Sequence, residues 1–280
     1  MTALERIRDA SRHRLHDMKS ALAALDGAVV AFSGGVDSTF VLAVAREVLG
    51  ERVVALTAHS PSVPLAERAE ARELARRLAV RHLEVESREM DDPRYAANPV
   101  DRCYYCKTEL YRLCDEAARR EGFSTVLDGF NADDCRDHRP GHRAADERAV
   151  RSLLAEAGLT KEEVRAWSAA YDLPTWDKPQ MACLASRLPY GTAVTAERLA
   201  QVERAEAAVR GLGFRSFRVR YHDDIGRLEV AADEMERAFE RRADLAAAVR
   251  GAGFKVAVLD LDPFRSGRMN ELAGIALPVL

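Results

Sequence analysis

The chain of 280 residues lacks any apolar stretch near the length of a membrane span, so it is not read as a membrane protein. Its first twenty residues, Met1 to Ser20, are charged and helical in pattern and have no signal-peptide apolar core. We therefore expect a cytoplasmic protein. Excess charge is also missing. Lys+Arg 42 against Asp+Glu 45 leaves a net of −3, which argues against a protein built to coat nucleic acid. Five cysteines, an odd count, fit poorly with a fully paired disulfide framework. In a reducing compartment, close cysteines more often serve metal or redox chemistry. There is no internal repeat, and no Gly-Lys-Ser/Thr that would complete a Walker A loop.

What is present is an apolar run, Ala28 to Phe32, followed by Ser33-Gly34-Gly35-Val36-Asp37-Ser38 and a helical stretch, Thr39 to Leu49. That pattern predicts a strand, a glycine-rich turn and a helix N-terminus. Amides in such a turn are unpaired, and the helix dipole adds positive potential, so the turn suits a phosphate group. Gly34 and Gly35 permit the tight turn and close approach of an anion, while Ser33 and Ser38 add hydroxyl donors. An ordinary glycine turn would need only a bare Gly-Gly pair. The six-residue match in its strand–loop–helix setting resembles the pyrophosphate loop of the PP-loop ATP pyrophosphatases.

Strand signals at 28–33, 52–58, 82–86 and 125–129 alternate with helix signals at 39–49, 65–78, 106–121 and 161–171. We predict an α/β fold, a parallel sheet with helices on both faces. Ligands of such sheets bind at the carboxyl ends of the strands, where 33–38 falls. The pattern changes near Leu188-Pro189-Tyr190-Gly191. Beyond it we expect a helix over 195–210 capped by Thr195, strands 217–221 and 228–231 joined by a turn over 222–226, a helix over 233–250 and a strand over 255–261. This divides the chain into a PP-loop domain, 1–190, and a small α+β domain, 191–280, for substrate binding or oligomerisation. The polar stretch 136–148 reads as a loop.

Cys103 and Cys106 form Cys-Tyr-Tyr-Cys, and Cys183 lies at the domain junction. Zinc would want a fourth ligand, and none stands at zinc-like spacing. A thioredoxin-like pair would sit in a different βαβ context. Three thiolates on a four-iron cluster would leave one iron open to an exogenous ligand such as sulfide. Three unrelated buried cysteines is the remaining reading. Cys114 and Cys135 lack such context, and Cys114 fits a helix face as a small core residue.

Taken together, the segments Ser33–Ser38, Thr57-Ala58-His59-Ser60-Pro61, Arg102–Lys107, Asp128 to Asp134, Arg139-Pro140-Gly141, Leu173–Pro179, Cys183–Gly191, Arg218-Val219-Arg220 and Arg227 to Val230 resemble one family over nearly the whole chain. It is the family of ATP-dependent sulfur transferases that make the nickel-pincer cofactor of lactate racemase, often called sacrificial sulfur transferases. The resemblance implies an adenine nucleotide alpha hydrolase-like fold. It also implies that a carboxylate of a pyridinium mononucleotide attacks the α-phosphorus of ATP, and that sulfur then displaces AMP to leave a thiocarboxylate. In one branch a single cysteine, at the position of Cys183, surrenders its own sulfur. In the other, cysteines at the positions of Cys103, Cys106 and Cys183 hold a [4Fe-4S] cluster that carries an extra sulfide. All three are present, so the cluster branch is expected. His138 and Leu153 depart from the Tyr and Pro common in the family.

Within the resemblance, Cys183 is the catalytic candidate. Ser33, Gly34, Gly35, Asp37, Ser38, Ser186, Arg187, Arg218 and Arg220 are candidates for binding ATP or the substrate phosphate. Cys103, Cys106, Cys183, Glu206 and Glu229 are candidate metal ligands. Arg218 and Arg220 alternate on a strand, so they share a face, and paired guanidinium groups suit a phosphate. Asp37 and Asp133 are candidates to place Mg²⁺ on the phosphates, with a capping or turn role as the alternative for each. His59 could border the adenine, although a structural role is the preferred reading. The expected partners are a small-molecule nucleotide substrate, a sulfide or cysteine-desulfurase sulfur donor and a second copy of the chain, but neither nucleic acid nor membrane. Two rivals stand. A tRNA thiolation enzyme would co-purify with RNA. A nucleotide-binding module without catalysis would not turn ATP over to AMP and pyrophosphate.

Overall fold

A computed structural model describes residues 2–134, 140–179, 182–265, 268, 271 and 274. The elements, in chain order, begin with α1 (Ala3–Ala23), β1 (Ala28–Ala31), α2 (Val36–Leu49), β2 (Val53–His59), α3 (Leu65–Arg77) and β3 (Arg81–Glu86). Next come α4 (Pro93–Ala96), α5 (Arg102–Glu121), β4 (Thr125–Leu127), α6 (Pro140–Asp146), α7 (Leu153–Glu156) and α8 (Lys161–Ala170). The last are α9 (Ala196–Gly211), β5 (Phe217–His222), β6 (Ile225–Val230), α10 (Met235–Glu240), α11 (Arg242–Gly251) and β7 (Val256–Leu259). They form two compact units, one of residues 1–60, 65–89 and 101–181, the other of 61–64, 90–100 and 182–280.

The first unit is built on a four-stranded parallel sheet of order β3-β2-β1-β4. Side chains of β1 alternate between two cores. Ala28, Val30 and Phe32 pack with Leu15, Met18 and Leu22 of α1, with α2 and with Val164 of α8. Val29 and Ala31 pack with Tyr111, Cys114 and Ala118 of α5 and with Ala144 and Ala145 of α6. Both faces of the sheet are thus apolar and covered, which is why its central strands read as continuous hydrophobic runs. Burial of α2 on nearly every side fixes the helix whose N-terminus follows the loop.

The second unit has a three-stranded sheet, β5-β6-β7, with β5–β6 antiparallel and β6–β7 parallel. The parallel pair is joined through α10 and α11. Thr195 caps α9 as expected, its Oγ1 accepting from Arg198 N at 3.3 Å.

Several boundaries differ from the sequence reading. The 136–148 stretch is not all loop: its described part contains α6, whose Ala144 and Ala145 are buried among polar neighbours that hid the helical signal. The helix expected over 233–250 is two, broken at Arg241 (φ −93, ψ 21), whose Nη1 donates to Leu212 O at 2.9 Å. The turn expected over 222–226 shortens to Asp223-Asp224, with Asp223 in the left-handed region at φ 51. Helix α5 starts at Arg102, four residues earlier than read, so Cys103 and Cys106 both lie on the helix, within its first five residues. Cys135 and His138 fall outside the described residues.

Candidate functional sites

The loop 33–38 leaves the carboxyl end of β1 and enters α2, with Gly35 in the N-cap position. Gly34 has φ +70, and a Cβ there would meet Ala71 Cα at 3.2 Å. Only glycine satisfies both demands easily. Ser33 and Ser38 hydroxyls lie 3.1 Å apart, Gly35 N donates to Ser33 Oγ at 3.3 Å, and Ser38 Oγ donates to Gly35 O at 3.3 Å. These bonds set the loop while the amides of the helix's first turn have no intrahelical acceptor, the arrangement that receives an anion.

A second loop, from the end of β4, closes on the first. Gly129 has no side chain because a Cβ would stand 2.9 Å from Ser38 N and 3.2 Å from Asp37 Cβ. Buried Asp128 anchors this loop: it accepts from Tyr111 Oη at 2.7 Å, Ser152 Oγ at 2.7 Å and Phe130 N at 3.1 Å. Asn131 Nδ2 donates to Asp37 Oδ1 at 3.3 Å, and Asn131 Oδ1 accepts from Asp133 N at 3.0 Å. Asp37 and Asp133 are therefore held beside the phosphate loop. Two lysines that the sequence reading did not single out reach the same place. Lys161 Nζ pairs with Asp37 Oδ2. Lys178 Nζ donates to Gly34 O at 3.1 Å and pairs with Glu70 at 2.8 Å. Lys161 is 124 residues from Asp37, so no local spacing reveals it; Lys178 lay inside a recognised segment without a role.

At the end of β2, Thr57 Oγ1 donates to Phe32 O at 2.8 Å. Its one proton is thereby used, so His82 Nε2, at 2.8 Å, is the donor of that pair. Burial pushes the His82 pKa down and keeps the ring neutral. His59 Nε2 bonds Glu84 at 2.6 Å, in keeping with the structural role preferred for it.

Cys103 is exposed and Cys106 partly buried, three residues apart on one helix. That spacing puts both thiols on the same face, and the helix N-terminus favours negative charge there. Cys114 is fully buried, and that burial pushes its thiol up to about 12.

In the second unit, Cys183 is the N-cap residue of a one-turn 3₁₀ helix, Leu184–Arg187. The turn is fixed from several sides. Leu184 N donates to Ser62 O at 2.8 Å. Ser186 Oγ donates to Cys183 O at 2.7 Å, and Arg187 Nη1 to the same oxygen at 3.0 Å. The Arg187 guanidinium makes two bonds to Glu206, at 2.9 and 3.0 Å, and Glu206 Oε1 also accepts from Val219 N at 3.1 Å. Burial opposes the charge of Glu206, but Arg187 beside it holds the carboxyl below its ordinary value.

Arg218 and Arg220, two residues apart on β5, share one face of the strand, Arg218 half-buried and Arg220 buried. Arg220 pairs with fully buried Glu229 at 2.8 Å and donates to Ser186 O at 3.0 Å. Arg227 pairs with the other Glu229 oxygen at 3.0 Å. Arg218 stands over the Phe264 ring at 4.7 Å. Burial and the neighbouring Arg187 charge push its pKa down to about 10.

The candidates thus fall into two sets. Ser33, Gly34, Gly35, Asp37 and Ser38, with Cys103 and Cys106, belong to the first unit. Cys183, Ser186, Arg187, Glu206, Arg218, Arg220 and Glu229 belong to the second. Among the described residues no group of three or more His, Cys, Asp or Glu is assembled as a metal site. Glu206 and Glu229 are engaged by arginines.

A parallel sheet with a Ser-Gly-Gly-Val-Asp-Ser loop at its carboxyl edge, running into a buried helix, defines a PP-loop nucleotide-binding protein. A family model described as asparagine synthase matches residues 16–244. The chain is 38% identical over 253 residues to the pyridinium-3,5-bisthiocarboxylic acid mononucleotide synthase of Lactiplantibacillus plantarum, covering 90% of this chain and 92% of that protein. It is 41% identical over 261 residues to an uncharacterized protein of Synechocystis, covering 92% and 97%. An uncharacterized protein of Methanocaldococcus jannaschii is 25% identical over 169 residues, covering 60% and 66%. The chain belongs to the ATP-dependent PP-loop sulfur transferase family that its motifs resemble. Among the described residues, no helix is long and apolar enough to cross a membrane.

Proposed function

We propose that this protein uses ATP to adenylate a carboxylate of a pyridinium mononucleotide and converts it to a thiocarboxylate, releasing AMP and pyrophosphate. One observation carries the reading: the likeness to the Lactiplantibacillus synthase runs through 90% of the chain. The loop 33–38 supplies amides and hydroxyls for the departing pyrophosphate. Asp37 and Asp133 are the carboxylates that would hold Mg²⁺ on the phosphates, a hard ion suited to carboxylate and phosphate oxygens. In the second unit, Arg218 is the candidate for the substrate phosphate, because an anion would relieve the burial of its charge beside Arg187. Arg220 and Ser186 support that surface. Arg187, with 1% of its side chain exposed, acts by fixing the carbonyl of Cys183 rather than by reaching ligand.

For the sulfur we retain the cluster branch. Cys103 and Cys106 fit a shared metal centre in residue type and placement, about one helical turn apart on α5. Cys183 is the third thiol of the set. A cluster on three thiolates would supply an open iron for sulfide. The chain's own contribution is to present Cys183 on a turn that Arg187 and Ser186 keep rigid. Delivery from Cys183 itself, leaving dehydroalanine, is the alternative. A cytoplasmic homo-oligomer fed by sulfide or a desulfurase completes the reading.

The test is carboxylate-dependent exchange of labelled pyrophosphate into ATP, run with iron analysis of anaerobically purified protein. Exchange that needs the pyridinium dicarboxylate supports the adenylation step; its absence in folded protein refutes it. Iron that is lost in Cys103→Ala, Cys106→Ala and Cys183→Ala but kept in Cys114→Ala supports the cluster. Iron-free active protein, with Cys183 lighter after turnover by the elements of hydrogen sulfide, refutes it.

A further inference from the structure

Lys161 is joined to both carboxylates beside the phosphate loop. Its Nζ is ion-paired with Asp37 Oδ2, and its backbone N–H donates to Asp133 Oδ2 at 2.8 Å. Asn131 links the same two residues, through Asp37 Oδ1 at 3.3 Å and Asp133 N at 3.0 Å. The backbone of Lys161 is rigid because it follows a reciprocal cap. Thr160 Oγ1 accepts from Glu163 N at 3.3 Å, and Glu163 Oε2 accepts from Thr160 N at 2.9 Å. The ammonium differs. It sits on a four-carbon stem, 33% of the Lys161 side chain is exposed, and 20% of the Asp37 side chain is exposed. A fixed backbone carries a movable charge.

That charge answers a conflict in the loop. The first turn of α2 attracts phosphate, yet Asp37 places a negative charge on the same turn. Either an ammonium or a divalent cation can neutralise Asp37, and both need Oδ2. They therefore compete. We propose that Lys161 is a removable counter-ion for Asp37. In nucleotide-free protein it suppresses divalent-cation binding. When the cation arrives already bound to a triphosphate, Lys161 gives up the carboxylate and turns to a phosphate oxygen. Metal then enters as its nucleotide complex and not before it. The inference rests on the ATP reading of loop 33–38.

The experiment is a Mn²⁺ titration without nucleotide, following loss of the free-ion EPR signal. It compares the parent protein with Lys161→Gln, Lys161→Arg and the double variant Lys161→Gln/Asp37→Asn. Lys161→Gln is expected to bind Mn²⁺ about tenfold more tightly than the parent, the size of removing one partly screened charge beside the ion. Lys161→Arg should stay as weak as the parent, and the double variant should lose the gain. Equal affinity in parent and Lys161→Gln overturns the proposal, as does a gain that survives Asp37→Asn. If circular dichroism shows Lys161→Gln unfolded, Lys161→Ala at the same helix start carries the same expectation. Calorimetric binding of MgATP to the parent tests the loop separately. Failure there removes the nucleotide reading whatever the Mn²⁺ result.

Discussion

Replacing Arg187 with Met removes a guanidinium that is 1% exposed and leaves Glu206, 6% exposed at its side chain, without its partner. Two charge-assisted bonds to Glu206 are lost, together with the bonds from Nη1 to Cys183 O and Ser186 Oγ. Breaking a buried pair from one side costs about 3–5 kcal/mol, because the remaining charge stays buried. Removing both, in Arg187→Met/Glu206→Met, should cost about 2 kcal/mol less than the single change to Arg187, since no charge is left behind. Hydrogen-exchange mass spectrometry of peptides spanning 182–230 reads this locally, without requiring the two units to unfold together. The pH dependence has a definite sign. The carboxyl of Glu206 is held below its ordinary value of 4.5 in the folded protein. Its contribution is therefore complete above pH 4.5 and is lost as pH falls through the lower folded value. The Arg187→Met protein should lose that acid-side transition. A loss under about 1 kcal/mol, or a double variant as weak as the sum of its singles, would refute the account of how the Cys183 turn is held.

Other outcomes follow from single features. Gly129→Ala should weaken ATP binding at least tenfold in calorimetry with little loss of secondary structure, because its Cβ would stand 2.9 Å from Ser38 N. Iodoacetamide at pH 8 should modify exposed Cys103 and spare Cys114, whose thiol burial pushes up to about 12; peptide mass spectrometry shows which was labelled. Arg218→Ala should weaken mononucleotide binding and leave ATP binding within twofold, whereas Arg220→Ala should chiefly destabilise, by about 3 kcal/mol, because it leaves Glu229 buried beside a lost partner. Asn98→Ala should cost about 2 kcal/mol in thermal unfolding, since Asn98 tolerates φ 56 and its Nδ2 donates to Pro189 O at 2.8 Å and Thr192 O at 3.0 Å.

The parallel sheet was legible because strands buried on both faces must be apolar throughout, as Ala28–Phe32 and 53–56 are. The phosphate loop was legible because glycine and hydroxyl residues between strand and helix serve few other ends. Helix α6 was not, since its contribution to the core is two alanines among polar residues. Nor was the break at Arg241, which depends on a carbonyl 29 residues earlier. For Arg187 and Arg220, sequence shows a charge but not its partner. Only three-dimensional placement shows Arg187 committed to Glu206 and Arg220 to Glu229. Lys161 escaped for the converse reason: a lysine at a helix start looks like surface until Asp37 is found against it.

The most direct test of the central claim is an anaerobic reaction of purified protein with ATP, Mg²⁺, sulfide and a pyridinium dicarboxylate mononucleotide, analysed by mass spectrometry. The account predicts AMP, pyrophosphate and a product in which sulfur has replaced one carboxylate oxygen, with AMP and product formed in equal amounts and neither made without the mononucleotide. Formation of ADP and phosphate, or of AMP with no sulfur-bearing product, would contradict it.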